Sequence, residues 1–527
     1  MFKGQPKGLF ALALANTGER FGYYTMLAIF TLYMRAKFGW DENTAGQVYA
    51  IFLAGVYFMP LLGGIIADRI GYGKCVTIGA FVMIFGYLGL AVPMATQVVD
   101  KWTMFMGLAL IAVGTGLFKG NLQVLVGNLY DDPKYSDKRD AAFSLFYMAI
   151  NIGAMFAPAM AKALYNPHIE GAGYHFVPID NATVEFGSQS GAYLQSLAEG
   201  YRLCFFVACA SLVLSLLIYF FCRPWFKHAD VNTKQAKAAG DIQIQELTPK
   251  QTKDRIVALL LVFAVVIFFW MAFHQNGSAL TFFADKYTKL NGITGVNRMW
   301  FNIWSLALIA VSIYTLFAIF QSDTKKARII AGVATLVLWG GAIAFYLQMP
   351  ASFNAATSDF QQFNPFFVVA LTPVSVAVFG ALGKKGKEPS APVKIGLGML
   401  LAGVGFAVIT AASTDLISPK DLGDSAQSIL SPNWLISTYF TLTVAELLLS
   451  PMGISFVSKV APPKYKGLMM GGWFAATAIG NYLSRIPSAL WKKIPLMANW
   501  AILIALCVIA GLIMFILRRK LEAATQD

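Results

Sequence analysis

The chain has 527 residues, 57% of them hydrophobic and only 13% charged, with a mean hydropathy of +0.60, whereas a soluble chain of this size carries about a quarter charged residues. Its apolar residues come in blocks of about twenty, which excludes a soluble globular protein and, since short alternating segments are absent, a membrane β-barrel. The net charge of +14 could suit a nucleic acid, but the cations sit mostly in alternate short loops (Arg69/Lys74, Lys134/Lys138/Arg139, Lys325/Lys326/Arg328, Lys384/Lys385/Lys387, Lys459/Lys464/Lys466 and Arg518/Arg519/Lys520), the positive-inside pattern of a polytopic membrane protein.

Six spans are predicted first, at Leu9–Met34, Thr44–Ile66, Val76–Met94, Trp102–Val126, Ala141–Tyr165 and Tyr201–Cys222. The first begins too early, is too long and lacks a clear cleavage site, so it reads as a retained helix rather than a signal peptide. It carries Asn16-Thr17-Gly18-Glu19-Arg20-Phe21-Gly22-Tyr23-Tyr24. Adjacent ionised side chains cost several kcal/mol in hydrocarbon unless paired or facing a wet cavity. At helical spacing Asn16, Glu19/Arg20, Tyr23/Tyr24 and Leu27 share one broad face. Either that face lines an interior cavity, or Glu19 and Arg20 form a structural ion pair locking the helix to a neighbour.

The loop after the second span reads Gly63-Gly64-Ile65-Ile66-Ala67-Asp68-Arg69-Ile70-Gly71. Glycine-rich helix ends permit close packing, and Asp68 and Arg69 can cap and latch a helix terminus at the cytoplasmic face. The 166–200 stretch has no Lys or Arg and is expected outside; His168 and His175 in or beside it read as solvated surface. The polar 224–255 stretch links two halves on the cytoplasmic side.

Eight further spans follow at Ile256–Ala284, Trp300–Phe320, Ile329–Gln348, Phe363–Leu382, Val393–Ala412, Trp434–Val457, Leu468–Leu490 and Asn499–Leu517. Fourteen helices with both termini inside divide awkwardly into repeats, but treating 300–348 as an inserted hairpin restores six plus six. The expected organisation is therefore an amino-terminal six-helix bundle (1–223), a linker (224–255) and a carboxy-terminal six-helix bundle (256–527) carrying that hairpin. The hairpin has few ionisable groups and is expected to be peripheral, with Trp300, Trp304 and Trp339 facing lipid or the interface. Arg485, near the outer end of its span, is expected to snorkel to the surface.

Lys119 and Glu446 each lie near the middle of a helix, one in each half. Bare charges at that depth tend to neutralise, whereas facing each other both can stay ionised. The pair is thus a latch between the halves or a permanent structural bridge. A cavity offering both signs suits a ligand with an amine at one end and a carboxylate at the other. The five cysteines have no metal-ligand spacing and are expected to be free thiols. With no nucleophile–base pair, metal cluster or phosphate loop, an enzyme is not expected.

Six motifs in one order complete the picture: Glu19-Arg20-Phe21-x-Tyr23-Tyr24, Gly114-Thr115-Gly116-x-x-Lys119, Phe146-Tyr147-x-x-Ile150-Asn151-x-Gly153, Phe363-Asn364-Pro365, Glu446-x-x-x-Ser450-Pro451 and Met470-Gly471-Gly472-Trp473-Phe474. Together they resemble the proton-dependent oligopeptide transporter family of the major facilitator superfamily. The resemblance implies an all-α membrane fold with a twelve-helix core, and uptake of di- and tripeptides by alternating access, driven by protons with no cofactor. It further implies a monomer in the bacterial inner membrane. By the same resemblance Asn151, Asn364 and Glu446 hold the peptide's amino terminus and Arg20 and Lys119 face its carboxylate. Tyr23, Tyr24 and Tyr57 are implied pocket tyrosines, and Trp473 a pocket wall.

Three positions depart from the family's pattern. Asn16 replaces a titratable Glu, Leu27 replaces an outer-gate Arg, and His274 stands where that Arg's acidic partner is usual. Proton coupling is therefore expected to be rewired, with Glu19 and Glu446 as carriers and His274 either a third carrier or a neutral bystander. The hairpin is displaced too, following the seventh span instead of separating the halves. A modified peptide or other anion as cargo, or a non-transporting receptor, are the alternatives.

Overall fold

A chain in hydrocarbon has no water to satisfy its backbone N–H and C=O groups, so each apolar run closes into a helix. The computed structural model describes residues 3–40, 42–177, 179, 182–231, 247–277, 279–355, 357–422 and 427–524. Among them run fourteen helices of 18 residues or more. These are α1 (Lys7–Phe38), α2 (Glu42–Ile70), α3 (Tyr72–Ala91), α4 (Gln97–Asn128), α5 (Arg139–Gly171), α6 (Ser190–Phe221) and α7 (Pro249–Phe273). There follow α8 (Ile303–Gln321), α9 (Lys325–Gln348), α10 (Phe363–Lys384), α11 (Ala391–Ala412), α12 (Asn433–Val460), α13 (Lys466–Leu483) and α14 (Leu496–Ala523). Most of the linker, 232–246, lies outside the described residues, as does Ser278.

Twelve helices among the described residues are long and apolar enough to cross a membrane. They are not the twelve of a two-bundle core. The set includes α8 and α9 of the hairpin and omits α1 and α13, whose polar and small residues dilute their hydropathy. Sequence and structure differ in three further places. α5 and α6 reach Gly171 and back to Ser190, so much of the expected outer loop is helix; a membrane limits an apolar run, not the helix that carries it. α7 breaks into a 3₁₀ turn at His274–Gly277 before a short helix at Ala279–Tyr287. The thirteenth span stops at Leu483 and restarts as Arg485–Leu490.

α1 packs on α5 and α6, and α2 and α3 pack on α4; in the other half α11 packs on α12 and α14, and α7 on α13 and α14. The halves meet chiefly where α2 crosses α13 and where α5 meets α10 and α12. The α2–α13 crossing depends on missing side chains. A Cβ on Gly64 would lie 2.1 Å from the carbonyl oxygen of Gly467, so any larger residue would force the halves apart.

Contacts along the chain gather the basic loops at one end. Lys3 pairs with Asp323, Lys138 donates to the Gly4 carbonyl at 3.0 Å, Lys394 reaches Asp140 at 2.9 Å, and Ser390 donates to Glu522 at 2.5 Å. Residues near both termini therefore share this basic end. The hairpin leans on the core through α8, while α9 is largely exposed, with only Ala331 and Thr335 buried. Trp304 and Trp339 are exposed as expected. Trp300 is not: it packs on Phe363, Phe366 and Phe367 of α10.

Candidate functional site

Glu446 lies midway along α12 and is 2% exposed. A carboxylate at that depth needs donors, and two neutral ones supply them. The Tyr147 hydroxyl donates from α5, and Asn364 Nδ2 donates from α10 at 2.6 Å. Asn364 also reaches Thr443 Oγ1, one turn earlier on α12, at 3.2 Å. The expected Lys119–Glu446 ion pair is not formed. Glu446 still bridges the halves, because Tyr147 belongs to one and Asn364 to the other. Asn151, one turn beyond Tyr147, gives its Nδ2 to the Tyr147 carbonyl at 3.0 Å, which leaves its amide oxygen as an acceptor.

The cations lie on α1 and α4. Arg20 and Glu19 are 2% and 1% exposed and pair with each other. The guanidinium lies 4.7 Å from the centre of the Tyr23 ring, and Tyr23, itself 2% exposed, packs edge-on against Tyr24. Lys119 Nζ sits between two aromatic faces, Tyr57 of α2 and Phe474 of α13, each 4.5 Å away. Quadrupole attraction from two rings holds an ammonium, yet among the described residues no carboxylate is in ion-pair range of it. Phe474 was legible only as part of a motif; nothing in its position signalled a cation partner. Tyr24 and Tyr57 lie within electrostatic reach of both Arg20 and Glu446, so groups of both signs lie near the same two rings. Trp473 is 1% exposed and wedged against Gly453, where a Cβ would lie 2.0 Å from the indole.

The basic end is closed by polar ties between the halves. Asp68 caps the start of α13, accepting from the backbone N–H of Gly467 at 2.8 Å and of Leu468 at 2.9 Å, and from the Tyr72 hydroxyl at 2.8 Å. An acid on a helix amino terminus is favoured by the dipole and the unpaired N–H groups there. Arg69 is exposed beside it. Asp131 accepts from Lys466 at 2.5 Å and Arg139 at 2.6 Å. Burial alone would raise its pKa, but these cations outweigh burial and hold it below its ordinary value. Asp140 accepts from Lys394 at 2.9 Å and Ser455 at 2.6 Å. Asp131 and Asp140 were not singled out in the sequence, where they look like solvated loop acids.

His274 sits at the break in α7, its Nδ1 3.0 Å from the Trp270 carbonyl and its ring against Trp270 and Phe273. Gln275 Nε2 ties the same turn to Met271 and to Ser484, beyond α13, at 2.8 and 3.0 Å. Arg485 is exposed, its guanidinium 3.9 Å above the Tyr482 ring, as a surface cation should be.

Two helical bundles tied together at one end, with buried side chains of both signs between them, define a membrane transporter of the major facilitator type. The profile of the POT family (PTR2) matches residues 73–240 and 332–503, and the chain belongs to that family. It is 28% identical to the peptide transporter YePEPT of Yersinia enterocolitica over 100% of this chain and 97% of the relative. It is 27% identical to the uncharacterized transporter YclF of Bacillus subtilis over 99% and 96%, and 28% identical to dipeptide and tripeptide permease B of Xenorhabdus bovienii over 92% and 87%. Solved structures share the fold. A peptide transporter POT in complex with sulfate superposes with a TM-score of 0.59 at 23% identity, covering 100% of this chain and 97% of the other. A POT family transporter in complex with 5-aminolevulinic acid gives 0.62 at 20%, covering 99% and 98%, and tetrameric PepTSo2 gives 0.52 at 19%, covering 98% and 97%. The chain is thus a multi-span transporter and no enzyme, and its bacterial relatives indicate the inner membrane.

Proposed function

We propose that this protein imports di- and tripeptides, or zwitterions of similar size, by alternating access between its two halves, driven by protons moving down their gradient and using no bound cofactor. The observation that carries this reading is the contrast between Glu446, held by neutral donors from both halves, and Lys119, which lies between two aromatic rings with no carboxylate in ion-pair range among the described residues. A peptide supplies what each lacks. Its ammonium meets Glu446 and the free amide oxygen of Asn151, and its carboxylate meets Lys119 and Arg20. The incoming ammonium competes with the Tyr147 hydroxyl, loosening one tie between the halves. Binding biases exchange only if it differs between the two access states, and a ligand whose ends touch opposite halves meets that condition.

Glu19 and Glu446 carry the proton in this scheme, since parting either from its partners raises its proton affinity. With the basic end cytoplasmic, as the loop charges predict, the closed end faces inward and the site awaits substrate from outside. In this reading the monomer is the transporting unit. Purified protein in liposomes loaded with unlabelled dialanine should accumulate labelled dialanine by counterflow. Absence of exchange with dialanine, trialanine and a mixed dipeptide library would overturn the reading.

A further inference from the structure

Pro373 lies inside α10, so the carbonyl of Val369, four residues earlier, has no N–H to accept within its own helix. A donor comes from the inserted hairpin. The Tyr314 hydroxyl, midway along α8, donates to the Val369 oxygen at 2.7 Å. The same hydroxyl lies 2.6 Å from the sulfur of Met148 on α5, the residue after Tyr147. Trp304 of α8 also meets Phe156 of α5, with ring centres 6.4 Å apart. The hairpin thus straddles the seam between the halves. It grips α10 again near its start, where Gln362 donates to the Trp300 carbonyl at 3.3 Å and the Trp300 ring packs on Phe363 at 6.3 Å. Asn364, donor to Glu446, lies between the two grips.

We propose that Tyr314 is a positioning residue of the transport site: by capping the carbonyl that Pro373 leaves open, it fixes the bend of α10 and so holds Asn364 against Glu446. The hairpin outside the twelve-helix core then takes part in the transport cycle. The proposal rests on the peptide-transport reading for its functional consequence, but its structural part is separable.

The test uses the full chain with Tyr314→Phe and Pro373→Ala, singly and together. Counterflow of labelled dialanine gives KM and turnover, and deuterium uptake reports the amides of α10. Tyr314→Phe keeps the ring and removes the donor, so turnover should fall about three- to ten-fold, the effect of one lost hydrogen bond, and α10 should exchange faster. In the Pro373→Ala background the restored N–H serves Val369, and adding Tyr314→Phe should change neither readout. An equal loss in both backgrounds would mean generic packing and overturn the proposal, as would no change in either readout from Tyr314→Phe alone. If wild type does not exchange dialanine, the transport reading fails, while deuterium uptake still decides whether Tyr314 caps α10.

Discussion

Carboxylates join the two halves at two depths, and their partners differ in kind. At the basic end Asp68, Asp131 and Asp140 meet helix N–H groups, Lys466, Arg139 and Lys394. At the level of the site Glu446 meets a phenol and an amide. The end ties are several and in part solvent-exposed, and those of Asp131 and Asp140 are already charge-compensated, so each is worth little alone. Glu446 is single, buried and hydrogen-bonded without a cation. The first arrangement suits a clamp that sets which end is closed. The second suits a binding group with a place left for an ammonium.

Removing the charge from Glu446 should therefore have the largest effect. Glu446→Gln keeps the size and one acceptor, and dipeptide affinity measured by calorimetry should drop by about 30-fold or more, the cost of deleting one partner of a desolvated charge pair. An N-acetylated dipeptide should bind wild type poorly for the same reason. Equal affinity for free and blocked amino termini would remove Glu446 from the amine site and erase the contrast with the basic-end acids.

At the basic end the expected effects are smaller. Lys394 is the most buried cation of the clamp, with its side chain 1% exposed between Asp140 and Glu388. Lys394→Met leaves both acids able to turn to water, so the closed conformation should lose about 1 kcal/mol, roughly five-fold in the open-to-closed ratio. Spin-label distances across the basic end would report it, and dipeptide affinity should move less than in Glu446→Gln. The reverse ranking would mean that the clamp, not the site, dominates binding.

The Asp131 tie gives the comparison a pH dependence. Its pKa is held below the ordinary carboxylate value because Lys466 and Arg139 outweigh burial. A depressed pKa contributes stability above the unfolded value and loses it as pH falls through the lower one. The Asp131 contribution should thus be constant from pH 8 to 5 and fade only below about pH 4. Comparing wild type with Asp131→Asn in the same distance measurement isolates it as a difference that stays constant down to about pH 5, and a difference that changes with pH near neutrality would contradict the assignment.

Hydropathy and loop charge made the helices legible, because a membrane imposes length and sidedness on any sequence that crosses it. They also revealed that Glu19, Arg20, Lys119 and Glu446 need an interior. Who meets whom was harder to read. Lys119 and Glu446 were matched because they were the conspicuous opposite charges, yet the partners of Glu446 are Asn364, which only the family resemblance had grouped with it, and Tyr147, whose hydroxyl barely alters the hydropathy of α5, and the partners of Lys119 are rings. The extra turns of α5 and α6 and the break at His274–Gly277 were missed for a related reason: helix outside the membrane, and a turn within it, leave the apolar run unchanged. Tyr314 was invisible too, since its role depends on a proline in another helix.

The smallest effect is expected at the break in α7, where His274 stands. The Trp270 carbonyl can only accept, so Nδ1 of His274 carries the proton of their 3.0 Å hydrogen bond, and the ring packs on Trp270 and Phe273. Gln at this position retains a donor for the same carbonyl. His274→Gln should therefore preserve uptake driven by an imposed pH gradient in liposomes to within roughly two-fold, whereas Glu19→Gln, which removes a buried acid paired with Arg20, should abolish it. Loss of proton-driven accumulation in His274→Gln with counterflow intact would make the histidine a carrier and bring the break in α7 into the coupling. A wild type indifferent to the gradient would instead be a facilitator, and Glu446 would then bind substrate without moving a proton.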